Sequence, residues 1–394
     1  MIQPTDSPAA KLRVGFVMHV MQVAGAEVLV TQIIERLRDA IEPTVFCLDA
    51  LGTLGEQLRD AGVPVVVLDR QPGLDRRVAR RLADEVRRRD IQVLHAHQYT
   101  PFFYAALARM LYRAKAKVVF TEHGRHYPDV VSSKRRWANR LVLQRYANIT
   151  TACCDFSTRA LQRIEGFPAA VTLPNGVDLS RLPPRGDAEA QQALRQQLGL
   201  DVDRPYAACI ARFHAVKDHA TLIRAWQRVH AAVPQAKLLL VGDGPEREKI
   251  EHLIKQLAAG ENVKERDSQT FESSIEFWGI RNDVGDILRA VDVFTLTSVS
   301  EAASLTLLEA MASQCPVVVT DVGGNGEHIQ PGQEGFLAPR GDDQQIANHL
   351  IQLLQDHRQS HQLGQAARQR VAKDFELTQA IDSYAKHYHS LVRE

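Results

Sequence analysis

Short apolar segments of strand type alternate with segments of helical periodicity through almost the whole of this 394-residue chain. In the first half, helical periodicity predicts helices at Glu27–Ala40, Asp75–Arg89 and Phe102–Tyr112. The predicted strands between them are Arg13–His19, Thr44–Leu48, Val63–Leu68, Val93–His97, Val118–Thr121 and Ile149–Cys153. Strand, helix and strand at this spacing predict a parallel sheet with helices on both faces.

A turn-rich stretch interrupts the alternation near the middle of the chain. Leu173–Asp178 and Leu182–Gly186 are rich in Pro and Gly, and a polar, glutamine-rich segment follows them. We therefore predict an N-terminal domain of residues 1–182 and a C-terminal domain of residues 183–376.

The alternation then begins again and predicts a second parallel sheet. Its helices are expected at His219–Ala232 and Glu246–Leu257, a polar loop at Ala259–Ser273, and a helical tail from Asp342 to Glu394. The predicted strands are Tyr206–Ala211, Lys237–Val241, Ile275–Trp278, Val293–Thr297 and Val317–Thr320. The fold class is therefore α/β, with two Rossmann-like, doubly wound domains that face a central cleft. Ligands of such sheets bind beyond the carboxyl ends of the strands.

Composition narrows the class of protein. The content of 45% hydrophobic and 24% charged residues is that of a folded globular chain, not of a disordered or collagen-like one. No apolar run approaches the roughly 20 residues that span a bilayer, and Met1–Ala10 lacks the order of a signal peptide, so we expect a cytosolic protein. The five scattered cysteines predict reduced thiols rather than a disulfide framework or a zinc site.

Charge is distributed unevenly, although the net charge is only +1. Up to Gly176, Lys and Arg outnumber Asp and Glu by 25 to 17, and after it the acids lead by 30 to 23. Many of the basic residues cluster on two predicted helices. One carries Arg76, Arg77, Arg80, Arg81, Arg87, Arg88 and Arg89, and the other begins with the segment Lys134–Trp137. One hypothesis is loose attachment to the anionic inner leaflet of a membrane. The alternative is a solvated, arginine-rich helix face.

Two candidate sites follow strands of the first predicted domain. Gly25 lies in a small turn that opens a helix, where backbone can approach a phosphate, although the glycine fingerprint of a dinucleotide site is missing. The alternative is a plain tight turn. Histidines also lie at two strand ends, His95 with His97 and then His123, which Gly124 follows. We expect His123 in the cleft, with a hydrogen-bonded loop histidine as the alternative, and we interpret His95 as a hydrogen-bonded core histidine.

Two cations follow the first strand of the second domain. Arg212 offers a planar fork of donors and Lys217 a point charge, a combination that suits a departing diphosphate. The alternative is an exposed loop that carries two charges.

The segment from Ser300 to Ala312 is the most informative one. Glu301 is predicted on a loop after a strand, and Ser304 and Leu305 at a helix N-terminus whose amides point at an anion. Glu309 lies within the helix among apolar residues, where a carboxylate needs a partner, such as a pair of ribose hydroxyls. The glycine-rich turn Asp321–Glu327 follows the next strand and is interpreted as mainly structural.

Taken together, these motifs resemble glycosyltransferase family 4, whose members are retaining enzymes of GT-B architecture. The motifs run in the family's order from about residue 13 to the C-terminus: Gly25–Glu27, Thr121–Gly124, Pro174–Asp178, Arg212 with Lys217, Gly242–Pro245, and Glu301 with Glu309. The resemblance implies that the substrate is a nucleotide-sugar donor and that residues 377–394 form a helix that packs back on the N-terminal domain. It departs from the family at Ala302–Ala303 and at Ala24, which puts donor preference in doubt.

The resemblance also implies a role for each site residue. Arg212 and Lys217 would neutralise the diphosphate, Glu309 would hold the ribose, Glu301 the transferred sugar, and His123 would lie near that sugar. Gly25 would let the first loop close on the phosphate, and Gly279 to Arg281 would contact the base. The remaining donor-binding positions are Gly242, Ile280, Ser304 and Leu305.

The sequence contains no Asp-x-Asp pair at a strand end and no His/Cys cluster with ligand spacing. We therefore expect no metal and no cofactor. The resemblance implies a glycan, lipid-linked or small-molecule acceptor, and we expect no nucleic acid as partner. The alternatives are a GT-B epimerase, a phosphorylase and a degenerate scaffold. The retained set of cations, glutamates and His123 argues against the scaffold. A hydride-transferring enzyme is disfavoured because the glycine fingerprint is missing.

Overall fold

The computed structural model describes residues 11–124, 132–259 and 270–393. The chain forms two compact units, one of Met1–Pro174 with Gln379–Glu394 and one of Asn175–Thr378. The predicted pair of Rossmann-like, parallel-sheet domains is confirmed. Within the described residues, no helix is both long enough and apolar enough to cross a membrane.

The first unit is built on a sheet of seven described strands in the order β3-β2-β1-β4-β5-β6-β7, all parallel. The strands are β1 Leu12–Val20, β2 Ile41–Ala50, β3 Val65–Val67, β4 Val93–His97, β5 Lys117–Glu122, β6 Ile149–Ala152 and β7 Val171–Thr172. The helices are α1 Gly25–Leu37, α2 Thr53–Asp60, α3 Arg76–Arg88, α4 Tyr99–Tyr112, α5 Ser133–Leu141 and α6 Asp155–Ala160. The strand order reverses between β1 and β4, which is where such sheets form their sites.

The second unit repeats the plan with six described strands in the order β10-β9-β8-β11-β12-β13, all parallel. The strands are β8 Tyr206–Ile210, β9 Lys237–Val241, β10 Ile275–Gly279, β11 Val293–Leu296, β12 Val317–Thr320 and β13 Gly335–Ala338. The helices are α7 Ala188–Gln197, α8 His219–Ala232, α9 Arg247–Ala259, α10 Val284–Ala290, α11 Leu305–Ala312, α12 Asn325–His328, α13 Asp343–Gln355 and α14 His357–Asp374. Here the strand order reverses between β8 and β11.

The start of these two central strands is fixed by a buried ion pair. Arg195 on α7 donates to Asp292 Oδ2 at 2.7 Å, and the same oxygen accepts the backbone N–H of Tyr206, also at 2.7 Å. A buried carboxylate needs such partners because burial without them is unfavourable. The contact holds β8 and β11 side by side at their amino ends, so their carboxyl ends emerge together.

The last helix, α15 Leu377–Arg393, begins in the second unit and ends in the first. Leu377 N donates to Val177 O at 3.1 Å, and a Cβ on Gly176 would lie 2.6 Å from Leu377 Cα. Glycine at position 176 therefore lets the outgoing and returning segments lie in contact. Further along α15, Tyr384 and Tyr388 are completely buried in the first unit.

Most predicted strands match the observed ones, and Val93–His97, Lys237–Val241 and Val317–Thr320 coincide with them. The sequence reasoning missed β7, which has only two residues, and β13, which begins at a glycine. A Cβ on Gly335 would lie 2.5 Å from Val317 O, so a residue that weakens strand propensity is required there by close packing. Of the predicted loop Ala259–Ser273, residues 260–269 lie outside the described residues.

Candidate active site

The site in the second unit lies where its strand order reverses, at the carboxyl ends of β8 and β11. Lys217 follows β8 and Glu301 follows β11. Lys217 Nζ lies 2.5 Å from Glu301 Oε1, and both side chains are largely buried, with 22% and 11% of their surface exposed. The two predicted residues are therefore brought together, although 84 positions separate them.

Both hydrogen-bond donors of Glu301 within the described residues bind the same carboxylate oxygen. Ser298 Oγ donates to Oε1 at 2.5 Å, as the Lys217 ammonium also does. Oε2 accepts no hydrogen bond from any residue that the structure describes, so it remains available to an external hydroxyl. An ammonium has three N–H donors, which leaves Lys217 two for a ligand.

Lys217 was predicted on a plain loop, but the structure gives it a more rigid position. It ends a 3₁₀ turn, Ala215–Lys217, that is tied to the end of β11. Thr297 Oγ1 donates to Lys217 O at 3.2 Å and to Asp218 O at 2.9 Å, and Val299 N donates to Val216 O at 2.8 Å. These bonds fix the backbone beneath the ammonium, which is the arrangement that a preorganised charge requires.

The turn Asp321–Glu327 supports Glu301 from the neighbouring strand. Gly323 has φ +57°, and a Cβ there would lie 1.5 Å from Glu301 O. Gly324 N donates to that same carbonyl at 3.3 Å. The glycine pair was predicted to be mainly structural, and its structural role is to let two backbones meet at Glu301.

Helix α11 presents its N-terminus just after Glu301. Ser304 is the N-cap residue, and its Oγ accepts the N–H of Leu307 at 3.3 Å. The first amides of an α-helix have no intrahelical acceptor, so the amide of Leu305 carries partial positive charge toward the strand ends. The predicted positions of Ser304 and Leu305 are those observed.

Glu309 lies in the second turn of α11, next to the buried Leu308 and Ala310. Part of its side chain is exposed, yet the apolar surroundings desolvate the carboxyl and raise its pKa to about 7. The carboxyl has no hydrogen-bond or ion-pair partner within the described residues. A carboxylate in such a position is destabilised in the free protein and gains from two hydroxyl donors.

Arg212 lies two residues beyond the end of β8 and is exposed, without an ion-pair partner in the described part of the chain. Next to it, a Cβ on Gly242 would lie 2.1 Å from Ala211 O, so only glycine allows the ends of β8 and β9 to approach this closely. Gly242 N donates to Gly279 O at 2.7 Å, which links the end of β9 to that of β10. The three strand ends thus form one continuous backbone edge.

Ile280 and Arg281 lie at the end of this edge. Ile280 is 81% exposed, which is unusual for a large apolar side chain. Arg281 is held by Asp283 through two hydrogen bonds of 2.8 and 2.5 Å, and its guanidinium lies 5.3 Å from the Trp278 ring centroid. An exposed isoleucine beside a fixed guanidinium provides a surface on which a planar base can stack.

In the first unit, the exposed turn that includes Gly25 opens α1 without a side-chain cap. At the end of β5, His123 Nε2 lies 2.7 Å from Nδ1 of His97, at the end of β4. Burial lowers the pKa of His123 to about 4, so this imidazole is neutral near pH 7. His97 was a candidate from its place at a strand end, and the structure shows that it pairs with His123.

His95 is the hydrogen-bonded core histidine that was predicted. Its Nδ1 lies 2.6 Å from Tyr388 Oη and its Nε2 lies 2.7 Å from Thr121 Oγ1. Tyr388 belongs to α15, so the last helix contacts the layer of histidines directly. Glu122, beside them, is buried, and its pKa is raised to about 7 by desolvation.

The structure brings Lys217, Glu301, Ser304 and Leu305 to one switch point, with Arg212, Gly242 and Ile280 along the same edge of the sheet. Gly25 and His123 lie in the first unit. Within residues 11–124, 132–259 and 270–393, no three His, Cys, Asp or Glu side chains are grouped as metal ligands.

Two family models match the chain in succession. Residues 23–181 match the Glycosyltransferase Family 4 model, and residues 190–370 match the model described as Glycosyl transferases group 1. The N-acetyl-alpha-D-glucosaminyl L-malate synthase of Bacillus anthracis is 28% identical over 326 residues, which is 82% of this chain and 81% of that protein. A GDP-mannose-dependent monoacylated alpha-(1-6)-phosphatidylinositol monomannoside mannosyltransferase of Corynebacterium glutamicum is 28% identical over 286 residues, or 69% and 70% of the two chains.

Solved structures share the fold. The Anabaena protein Alr3699/HepE, solved in complex with UDP-glucose, superposes with a TM-score of 0.81 over 96% of this chain and 100% of its own, at 22% identity. WaaG, described as a glycosyltransferase involved in lipopolysaccharide biosynthesis, superposes with a TM-score of 0.70 over 95% and 99% of the two chains, at 16% identity.

Proposed function

The chain belongs to glycosyltransferase family 4 and has the GT-B fold, and on that premise we propose that it transfers a hexose from a UDP- or GDP-sugar to a glycan, lipid-linked or small-molecule acceptor. The transfer retains the anomeric configuration and needs no metal ion. The observation that carries the proposal is the Lys217–Glu301 pair at the strand reversal of the second unit. It places a cation and a carboxylate with a free oxygen within one hydrogen bond of each other. A sugar diphosphate has both the complementary anion and the complementary hydroxyls.

The diphosphate is the anion that this edge of the sheet suits. Lys217 keeps two N–H donors after its bond to Glu301, and Arg212 projects an unpaired guanidinium from the same loop. The amide of Leu305 adds the partial charge of a helix N-terminus. These three groups would stabilise the negative charge that grows on the diphosphate as the sugar leaves.

The rest of the donor would lie along the same backbone edge. We assign the ribose hydroxyls to Glu309, the transferred sugar to Oε2 of Glu301, and the base to Ile280 and Arg281. Gly242 would let the donor approach the backbone, and Gly25 would do so from the first unit. Support comes from the unpartnered carboxyl of Glu309 and the 81% exposure of Ile280.

The family resemblance implies retention of configuration, and the roles proposed for the carboxylates agree with it. A double displacement needs a carboxylate nucleophile at the anomeric carbon, and inversion needs a base opposite the leaving group. Glu301 and Glu309 are assigned to hydroxyls in this proposal, and His123 is bonded to His97. In the proposed route, the bond from the anomeric carbon to the diphosphate breaks, and the acceptor oxygen attacks the same face. The acceptor proton passes to the departing diphosphate oxygen.

His123 is assigned to the transferred sugar rather than to proton abstraction. Its low pKa supports this, since a group that protonates only near pH 4 is a weak base. If Nδ1 of His97 donates to Nε2 of His123, then Nδ1 of His123 carries the proton and can donate to a sugar oxygen. His97 would then act as a positioning residue.

A lipid-linked acceptor would bring the enzyme to the inner face of a membrane. Two relatives are named for such acceptors, phosphatidylinositol monomannoside in one case and GlcNAc-diphosphoundecaprenol in the other. We therefore propose a role in surface polysaccharide or glycolipid synthesis with peripheral membrane contact.

A thermal-shift screen over UDP-, GDP- and ADP-sugars tests the donor. A ligand at a hundred times its dissociation constant should stabilise the native state by about 2.7 kcal/mol. Glu309→Gln should weaken the response, and Glu327→Gln, on the neighbouring α12, should not. Absence of any response to every nucleotide-sugar would contradict the proposal, and a product that is an epimer of the free donor would favour an epimerase.

A further inference from the structure

Helix α5 turns its large apolar residues outward. Trp137 is 61% exposed, Leu141 is 52% exposed, and Val142, which follows the helix, is 41% exposed. Trp137 is the most exposed of the three tryptophans, since Trp226 is buried and Trp278 is half-buried. Single exposed apolar residues need no explanation, but two on one short helix with a third directly after it mark a surface for contact with another molecule.

The outward position of Trp137 is fixed by the residues on the opposite side of the helix. Arg135 Nη2 lies 2.5 Å from both carboxylate oxygens of the buried Glu165, and Asn139 Nδ2 donates to Glu165 O at 2.8 Å. Arg135 also lies over the Tyr99 ring, 3.9 Å from its centroid. Two residues along a helix rotate a side chain by about 200°, so anchoring Arg135 inward turns Trp137 outward.

Cations surround this apolar face. Lys134, Arg136 and Arg140 are exposed, α5 contains no acidic residue, and none of the three has an ion-pair partner within the described part of the chain. A groove beside them is lined by Ser133, Arg136, Trp137, Arg140 and Ile164. An indole wall with two guanidinium groups matches an anionic lipid headgroup, which offers a phosphate above an apolar boundary.

The other basic helix, α3, lacks this combination. Arg87 pairs with Asp84, and both Arg88 and Arg89 pair with Glu85 on the same helix. Every residue from Arg76 to Arg89 that is fully exposed is polar. Arg76, Arg77 and Arg80 have no ion-pair partner within the described residues, and Leu74, which precedes the helix, is 61% exposed. Within α3 itself, however, no exposed apolar residue lies among the cations, which suits a solvated face, the alternative that the sequence left open.

We propose that α5 is the surface with which the first unit docks on an anionic bilayer. Trp137 and Leu141 enter the headgroup boundary, where indole rings are favoured, and Lys134, Arg136 and Arg140 contact lipid phosphates. The inference rests on the proposed function in one respect, because a lipid-linked acceptor is the reason for the enzyme to bind a membrane. The binding itself requires no transfer activity.

Sedimentation of the full-length protein with vesicles tests the proposal. Vesicles of phosphatidylcholine with phosphatidylglycerol should carry the protein down at low salt and release much of it at high salt, and pure phosphatidylcholine should bind far less. Trp emission should shift to the blue on binding. The shift should disappear in Trp137→Phe with vesicle binding partly kept, because the phenyl ring in that variant supplies an apolar group without the indole reporter.

Replacing arginines by glutamine on α5 or on α3 shows which of the two basic helices contacts the vesicle. Arg136→Gln with Arg140→Gln should lower the partition coefficient about 25-fold, since each basic residue at an anionic surface contributes about fivefold at 25 °C. Arg76→Gln with Arg80→Gln, the matched pair on α3, should change it less than threefold or so on the same scale. Equal losses in both pairs, a loss only in the α3 pair, or no binding of the wild type at low salt would overturn the proposal.

Thermal shift with nucleotide-sugars is measured on each variant as the reference. A normal shift together with lost vesicle binding assigns the loss to docking rather than to unfolding. Vesicle binding without any nucleotide-sugar response would contradict the proposed function and leave the docking surface in place, and the reverse result would contradict only the docking surface.

Discussion

Lys217 Nζ and Glu301 Oε1 lie 2.5 Å apart, each at the carboxyl end of one of the two strands where the second sheet reverses its order. The pair is only partly open to solvent, so its charges interact more strongly than those of a surface ion pair. Each residue therefore fixes the other's position, and a change at one should be felt at both.

Replacing Lys217 by Ala should reduce kcat/KM by an amount equivalent to about 2–4 kcal/mol, the scale of losing one electrostatic donor in the transition state. It should also lower the free energy of unfolding by about 1–3 kcal/mol, because Glu301 would keep only the Ser298 hydroxyl. Kinetics with the donor found in the screen and urea unfolding measure the two effects.

Lys249→Ala is the matched control, since that lysine is 75% exposed and pairs with Glu246. It should change neither quantity appreciably. Adding Glu301→Gln to Lys217→Ala should restore part of the stability and none of the activity. Near-normal turnover in Lys217→Ala would remove the lysine from the site.

Glu309 should give donor binding a pH dependence. Its pKa is raised from 4.5 to about 7 by desolvation, so the carboxylate that accepts ribose hydroxyls is present mainly above pH 7. Affinity for the intact nucleotide-sugar should rise about tenfold from pH 6 to pH 8, as the ionised fraction does. Calorimetric titration at the two pH values checks this. Glu309→Gln should bind the donor weakly at both, and the control His214→Gln should show the same rise in affinity as the wild type.

The raised pKa of Glu309 also affects stability: donor affinity rises with pH, whereas the contribution of Glu309 to folding stability falls. Between pH 4.5 and about 7 the folded state binds a proton that the unfolded state has lost, so the contribution of Glu309 to stability falls as pH rises. Glu309→Gln should therefore gain stability relative to the wild type on going from pH 5 to pH 8, by about 1–3 kcal/mol. Thermal unfolding at the two pH values measures it, and a constant difference would contradict the raised pKa.

Gly323 should tolerate no side chain. Ala at this position would place its Cβ against Glu301 O, so the variant should lose about 3 kcal/mol or more of stability, or displace Glu301 and lose activity. Gly332 has a similar positive φ of +79° with no atom near its Cβ, so Gly332→Ala should lose only about 1 kcal/mol. If unfolding and turnover were equally affected in both variants, the contact with Glu301 would not matter.

Metal removal should leave transfer intact. Arg212 and Lys217 are proposed to supply the positive charge that a divalent ion provides elsewhere. Initial rates with and without EDTA check this with the natural donor. Complete loss of activity that magnesium or manganese restores would show that the two cations are insufficient.

The linkage in the product tests the mechanism. An α-linked donor should give an α-linked product, measured by NMR, because the departing diphosphate receives the acceptor proton on the face that it leaves. His123→Ala should slow turnover without abolishing it, and His97→Ala should act in the same direction through His123. A β-linkage, or a His123→Ala variant with no detectable transfer, would point to a base-catalysed inversion.

The sequence predicted the two parallel sheets well because apolar strands and amphipathic helices alternate with clear periods. It placed Arg212, Lys217 and Glu301 after strand ends because those positions follow an apolar run, and it placed Glu309 within a helix among apolar residues. It did not predict the bond between Lys217 and Glu301, since spatial adjacency of β8 and β11 depends on the reversal of strand order.

Side-chain partners were harder to predict than positions. Arg135 and Arg136 are neighbours in a basic run, yet Arg135 is bonded to the buried Glu165 and Arg136 is exposed. That difference comes from a contact 30 residues away and from the helical rotation, neither of which charge patterning contains. For the same reason, the pairing of His97 with His123 was not foreseen.

The bond between His95 and Tyr388 joins residues 293 positions apart in the chain. During synthesis, residues 1–174 of the first unit leave the ribosome long before α15 does. Until α15 is made, the surface that packs against Tyr384 and Tyr388 stays uncovered. The half of the protein that is made first is thus completed last. Nascent chains halted before residue 377 should therefore recruit chaperones through that uncovered apolar surface, and release of the final helix should end the recruitment.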